Sequence, residues 1–241
     1  MFDNREMYRK LHAKKGLVPF TITVKETNLN IQADTDLTEK AIRSALTHRQ
    51  YIETHIQNHP EFAKSMAPLP DPAVAPKIIT EMTLAGQITG VGPMAAVAGA
   101  VSQAVGNDLL ANTKEVLVEN GGDIFVKSKT ETIFTIFAGE SPFSMKTGIR
   151  ISARPGSFAM CTSSGTIGHS KSFGRADAVS ILADSCAVAD AAATALCNQV
   201  KTADDIEKTI AKGKQMEGIQ GIVIILGAQI GLWGDLELIR L

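Results

Sequence analysis

Asp190 and Thr194 stand four residues apart in the segment AVADAAATAL, residues 187–196. On a helix that spacing puts a carboxylate and a hydroxyl on one face. Both are hard oxygen donors, the kind that Mg²⁺ takes while keeping part of its water shell. Their neighbours are nearly all alanine, so little side-chain bulk shields the pair. The same spacing also suits an aspartate favoured by the helix dipole and a threonine bonded back to the carbonyl four residues earlier. A second set is Asn120-Gly121-Gly122-Asp123. Its glycines permit positive φ and a close backbone approach, so free amides face a phosphate or a flat ring and Asp123 a ribose or base edge. A tight hairpin turn accounts for the same four residues without any ligand.

A third set runs Thr162-Ser163-Ser164-Gly165-Thr166, with His169 just beyond. Hydroxyls and amides at a strand end suit a nucleotide or phosphate, and His169 titrates in the range useful to a general acid or base. A polar surface loop with a solvated histidine is the alternative. The fourth set is the helix entry at residues 90–93, where Gly92 and Pro93 lead into a run of small residues. Unpaired N–H groups at a helix start attract anions. Neither G-x-G-x-x-G after a strand nor G-x-x-x-x-G-K-[ST] occurs, which excludes the standard dinucleotide and P-loop readings. His48, His55 and His59 share a helical face, a pattern open to metal binding or to plain exposure near the helix end.

These residues need elements to hold them. Alternation predicts strands over 20–25 and 29–33 with a turn at 26–28, and then a helix from Asp36, with Glu39 three residues on, to about Asn58. Residues 68–76 hold four prolines and read as a rigid crossing. Pro93 is well placed to begin a helix that runs to about Val105 and whose small residues admit a neighbouring backbone or a flat ligand. Residues 116–119 and 123–127 form a hairpin about the two glycines, and 132–137, 146–153, 157–161 and 178–182 read as further strands of an antiparallel sheet. A helix over 186–199, a second over 203–216 capped by Thr202, and a closing hairpin of 221–226 with 230–241 complete the chain. Strands in runs, without regular βαβ alternation, favour an α+β fold in one domain spanning 1–241.

Composition narrows the class. A net charge of −1 and 5% aromatic residues argue against nucleic acid as a partner. The longest apolar stretches are too short to span a bilayer, and the basic N-terminal residues are not followed by an apolar signal core, so no membrane partner and a cytoplasmic location are expected. Cys161, Cys186 and Cys197, without a C-x-x-C pair, read as buried thiols and not as a disulfide framework. The apolar C-terminal hairpin reads as core, with an interface in a homo-oligomer as the alternative.

In order, a small-residue helix entry, E-N-G-G-D-I, a T-S-S-G strand end and A-D-A-A-A-T-A-L resemble the ApbE-type FAD:protein FMN transferase superfamily, in particular a branch without a lipoprotein signal. The match runs from about Gly90 to Leu196. The resemblance implies an α+β fold of mostly antiparallel sheet and a flavin-dinucleotide site, with FAD or FMN and Mg²⁺ as cofactors. It implies Mg²⁺ ligands at Asp190 and Thr194, with the Ala95 carbonyl as the third, and flavin contacts at Gly121, Gly122 and Asp123. Two features depart from the family. Its lysine is missing from Met94-Ala95-Ala96-Val97-Ala98-Gly99, and the Asp-Pro after its histidine is missing beyond His169. The expected function is an Mg²⁺-dependent flavin- or nucleotide-binding enzyme acting on a phosphoanhydride, as an FMN transferase or FAD pyrophosphatase would. The alternative is a binding protein that keeps the pocket without the chemistry.

Overall fold

The structure is a computed structural model that describes residues 14–166 and 174–241. Strands β1 (Val18–Val24), β2 (Thr27–Ala33), β3 (Val116–Asn120), β4 (Asp123–Lys127), β7 (Phe158–Ser163), β8 (Ala178–Ala183), β9 (Ile219–Leu226) and β10 (Gln229–Gly234) form one sheet in the order β1-β2-β3-β4-β7-β8-β9-β10. Every neighbouring pair in it is antiparallel. Strands β5 (Thr132–Thr135), β6 (Thr147–Ile151) and β11 (Glu237–Arg240) make a second, three-stranded sheet in the order β11-β6-β5. The helices are α1 (Thr38–Asn58), α2 (Glu61–Lys64), α3 (Lys77–Thr89), α4 (Val97–Leu109), α5 (Cys186–Cys197) and α6 (Asp205–Gly213).

The period of two sorts the large sheet's side chains between two cores. Val116, Val118, Phe125, Ala159 and Cys161 join a core shared with the helices. Leu117, Ile124, Val126, Phe158 and Met160 join a second core with Phe134, Ile149 and Ile151 of the small sheet. The layers are thus helices, large sheet and small sheet. By the same alternation Asn120 and Asp123, which pair across the β3–β4 turn, fall in step with Val118 and Phe125 on the helix side. No single helix among the described residues is long and apolar enough to cross a membrane.

Several expectations are corrected. The first hairpin turns at Lys25-Glu26, so Thr27 and Asn28 already pair with Val24 and Thr23. The expected α1 cap does not form: Asp36 accepts from the N–H and hydroxyl of Thr38 at 2.8 and 2.6 Å, and the helix begins at Thr38. The strands expected over 132–137 and 146–153 are shorter, Thr132–Thr135 and Thr147–Ile151, and belong to the second sheet. The closing hairpin ends at Gly234, where φ is 104° and a Cβ would lie 2.0 Å from the Gln220 carbonyl oxygen. Beyond that kink the chain crosses to pair β11 with β6. Thr202 does not cap α6; Asp205 accepts from its N–H and hydroxyl at 2.8 and 3.0 Å.

Helix α3 was not anticipated. It ends at Gly90 in the left-handed region. The chain then bends by 107° into the stretch 93–109. Pro93 opens a 3-10 turn, Pro93–Ala96, and the α-helix proper starts only at Val97. Among α4's small residues, Gly99 packs on the backbone of α5, and Gly106 sits where a Cβ would meet the Phe125 ring at 2.2 Å. The protein's own groups therefore take the close approach that the run of small residues offers at these two positions.

Candidate functional site

Asp190 lies one turn into α5, and its side chain is 9% exposed. The helix starts at a Ser185 cap whose hydroxyl accepts from Val188 N–H at 3.4 Å. The Asp190 carboxylate accepts from the Gly99 N–H at 2.9 Å. It therefore sits at the positive end of α4, where amides lack helical partners. This approach requires glycine, since a Cβ on Gly99 would lie 2.3 Å from the Cys186 carbonyl oxygen and 2.8 Å from Asp190 Cβ. Burial pushes the Asp190 carboxyl up to about 7, while the Gly99 and Ala98 amides pull it down.

Asp123 opens β4 and is 8% exposed. Its Oδ1 is buried without a hydrogen-bond partner among the described residues. Burial first, and the Asp190 charge second, hold its carboxyl well above the usual carboxylate range; the Cys161 thiol and the Thr162 amide oppose them. Among the described residues no cationic side chain is one of the groups that shift either acid. Two acids thus share one desolvated space, and keeping both ionised there is costly unless a positive charge joins them.

The hairpin that carries Asp123 is fixed to α4. Asn120 donates from Nδ2 to the Ala98 carbonyl at 3.1 Å, and the Ser102 hydroxyl donates to the Asp123 carbonyl at 3.0 Å. Gly121 and Gly122 make the bend with φ of 68° and 112°. Among the described residues no heavy atom beyond the adjoining residues lies within 4 Å of a Cβ placed on Gly121, and one on Gly122 would be 3.6 Å from the Thr162 carbonyl oxygen. The bend, the end of β7, the start of α4 and the middle of α5 therefore meet. Thr194, one turn beyond Asp190, is half-buried. Ala95 lies in the 3-10 turn, which packs on α5.

Other residues of the expected set are engaged within the protein. Thr162 shares a 2.8 Å hydrogen bond with Ser180. Ser163 ends β7 and is half-buried. Ser164 accepts from the Thr166 N–H at 3.1 Å, and Gly165 donates to the Ala176 carbonyl at 2.8 Å. Gly92 and Pro93 are buried, and a Cβ on Gly92 would be 1.8 Å from the Ser65 carbonyl oxygen. His169 lies outside the described residues. The three-histidine face divides: His48 pairs with Asp108 at 2.9 Å, whereas His55 stacks on His59 at 4.6 Å and meets the Phe62 ring edge-on. No cluster of three or more His, Cys, Asp or Glu side chains suited to a metal occurs among the described residues. The three cysteines form no disulfide and are buried; the sulfurs of Cys161 and Cys186 stand 3.5 Å apart, with burial raising both thiols.

Sequence reasoning missed Ser102 and Gln103. Gln103 is 8% exposed, and its Oε1 accepts from the Cys186 N–H at 2.7 Å. A glutamine in a run of small apolar residues was the available signal, because a buried amide persists only with a partner.

A family model described as AbpE bacteria matches residues 9–232. The UPF0280 protein of Methanocaldococcus jannaschii is 38% identical over 226 residues, covering 91% of this chain and 92% of that protein. The UPF0280 protein of Methanosarcina acetivorans is 39% identical over 214 residues, covering 88% and 84%. Among solved structures, the ApbE protein of Thermotoga maritima superposes with a TM-score of 0.62 at 13% identity, covering 89% of this chain and 96% of that one. The flavin transferase ApbE of Vibrio cholerae gives 0.56 at 12% identity, covering 91% and 97%. At these identities the structures bear on the fold, which is ApbE-like: mixed α and β with mostly antiparallel sheet. The family match spans nearly the whole sequence, and the chain belongs to the AbpE family of bacteria, within the ApbE-like superfamily.

Proposed function

We propose that the protein is a single-domain enzyme that binds a flavin or nucleotide with Mg²⁺ and acts on its phosphoanhydride. The observation that carries this reading is the pair of buried acids, Asp123 and Asp190, with an oxygen that has no partner and no cation that shifts either acid among the described residues. The donor set fits a hard cation: two carboxylates, the hydroxyl of Thr194 and the carbonyl of Ala95 are all oxygens. In this reading Asp190, Thr194 and Ala95 would hold Mg²⁺, with the Asp123 carboxylate facing the same ion, and the ion would supply neutralisation of the charge on a pyrophosphate. The start of α4 keeps Asp190 aimed by the Gly99 amide. The open face of Gly121 and Gly122 admits a flat ring or a phosphate, with Asp123 beside it. Ser163, Ser164 and Gly165 line the phosphate side, and His169 takes the proton of the acceptor or of water.

The ApbE flavin transferases that share the fold support flavin as the ligand class. Calorimetry with FAD, FMN and ADP, each with and without Mg²⁺, tests the reading. Mg²⁺-dependent binding of at least one of them is expected. No binding at millimolar ligand would end the proposal.

One observation favours a second reading. No lysine stands between Met94 and Gly99, so the start of α4 lacks a fixed positive charge for phosphoryl transfer. A protein that holds the ligand without cleaving it fits this loss. Bound FAD that stays intact for hours with Mg²⁺ present selects the binding protein; turnover that Asp190→Ala abolishes selects the enzyme.

A further inference from the structure

We infer that Gln103 and Ser102 are positioning residues that set the distance between the two acids, an inference that rests on reading Asp123 and Asp190 as a cation site. Helices α4 and α5 run side by side in opposite directions: Gly99 faces Asp190, and Gln103, one turn further along α4, faces Cys186, one turn back along α5. The Cys186 N–H is among the first amides of α5, which no helical carbonyl can satisfy. Gln103 Oε1 takes it at 2.7 Å, and this bond fixes how far α5 slides along α4. Asp190 travels with that slide. Ser102, adjacent on α4, donates to the Asp123 carbonyl at 3.0 Å and fixes the hairpin to the same helix. One turn of α4 therefore adds a buried side-chain hold on the backbone that carries each acid, beside the Asn120–Ala98 and Gly99–Asp190 bonds. Both side chains are at least nine-tenths buried in a helix whose other buried residues are small or aliphatic. Neither is among the groups that shift the carboxyl it positions, and each bonds to backbone, so each acts through the backbone that carries the acid.

A positioning role has a signature that a merely stabilising one lacks. Mg²⁺ demands near-ideal octahedral geometry with short bonds, whereas Ca²⁺ accepts longer bonds and irregular shells. A slipped α5 therefore penalises Mg²⁺ more than Ca²⁺. Calorimetric titrations of the full chain with MgCl₂ and with CaCl₂, in the absence of nucleotide, give the ratio of the two Kd values. Gln103→Met keeps the bulk and removes the acceptor; it is expected to weaken Mg²⁺ about tenfold or more and Ca²⁺ much less. Gln103→Glu keeps an acceptor oxygen and is expected to return the ratio to that of the wild type. Ser102→Ala removes one hydroxyl only and serves if Gln103→Met fails to fold; its ratio is expected to move the same way. A lowered Tm with an unchanged ratio in a folded variant overturns the positioning role while leaving the cation site intact. A wild type that binds neither ion overturns the cation site itself, and this inference with it.

Discussion

Burial raises the Asp190 carboxyl to about 7, and the sign of that shift dictates a pH dependence. A carboxyl whose folded value exceeds its unfolded one contributes stability below the unfolded value, near 4, and loses it as pH rises through about 7. Three units correspond to roughly 4 kcal/mol at most. Depressed carboxyls such as Asp34 and Asp205 work in the opposite sense, but their loss falls below the unfolded carboxylate value. His55, lowered by burial, destabilises the fold as pH falls below about 6.5. The difference between wild type and Asp190→Asn removes these common contributions. Asparagine still accepts from Gly99 and carries no charge. Urea unfolding of metal-free protein is expected to show Asp190→Asn gaining on the wild type as pH rises from 5 to 8. A pH-independent difference would contradict the buried-acid account. Asp190 and Asp123 were both legible as donors from spacing and from the glycine bend. Their proximity was not, because it depends on which face of β4 meets α5.

At the scale of elements, Gly99 and Gly106 form a matched pair on α4. An added Cβ meets the Cys186 carbonyl and Asp190 at the first and the Phe125 ring at the second. Gly99→Ala and Gly106→Ala are each expected to cost about 1–3 kcal/mol in denaturant unfolding. Only Gly99→Ala is expected to weaken Mg²⁺ binding as well, because only it separates α4 from α5 at the acid. Equal metal affinities in the two variants would refute the placement. The Gly-Gly hairpin and α5 were readable because local chemistry decides them: positive φ in one, a serine cap and an alanine run in the other. Helix α3 went unread although Ile78, Ile79, Met82 and Ala85 repeat at helical spacing, since the prolines before it read as a crossing and its left-handed end at Gly90 read as the next helix's start. The 3-10 turn at Pro93–Ala96 was unreadable for another reason: tertiary packing of Gly92 on Ser65 sets it.

In the whole molecule the site occupies the helix side of the large sheet, and the small sheet covers the other side. Phe134 belongs to that second core and meets the Phe158 ring edge-on at 6.2 Å. Phe134→Ala is expected to cost about 3–5 kcal/mol in urea unfolding. The Mg²⁺ affinity of the protein that remains folded is expected not to change, and a large change would mean that the two sides are coupled. The α+β class was readable from strands arriving in runs. The division into two sheets was not, because β11 joins β6 across about ninety residues of chain, and local pattern carries no record of partner choice. In the proposed reading the two desolvated acids, Asp123 and Asp190, take up a divalent cation. Titration of metal-free protein with MgCl₂ at pH 7, in two buffers of different ionisation enthalpy, tests it most directly. Saturable binding that releases close to one proton or more, lost in Asp190→Asn, is the expected result; no saturable heat, or the same heat in Asp190→Asn, contradicts it.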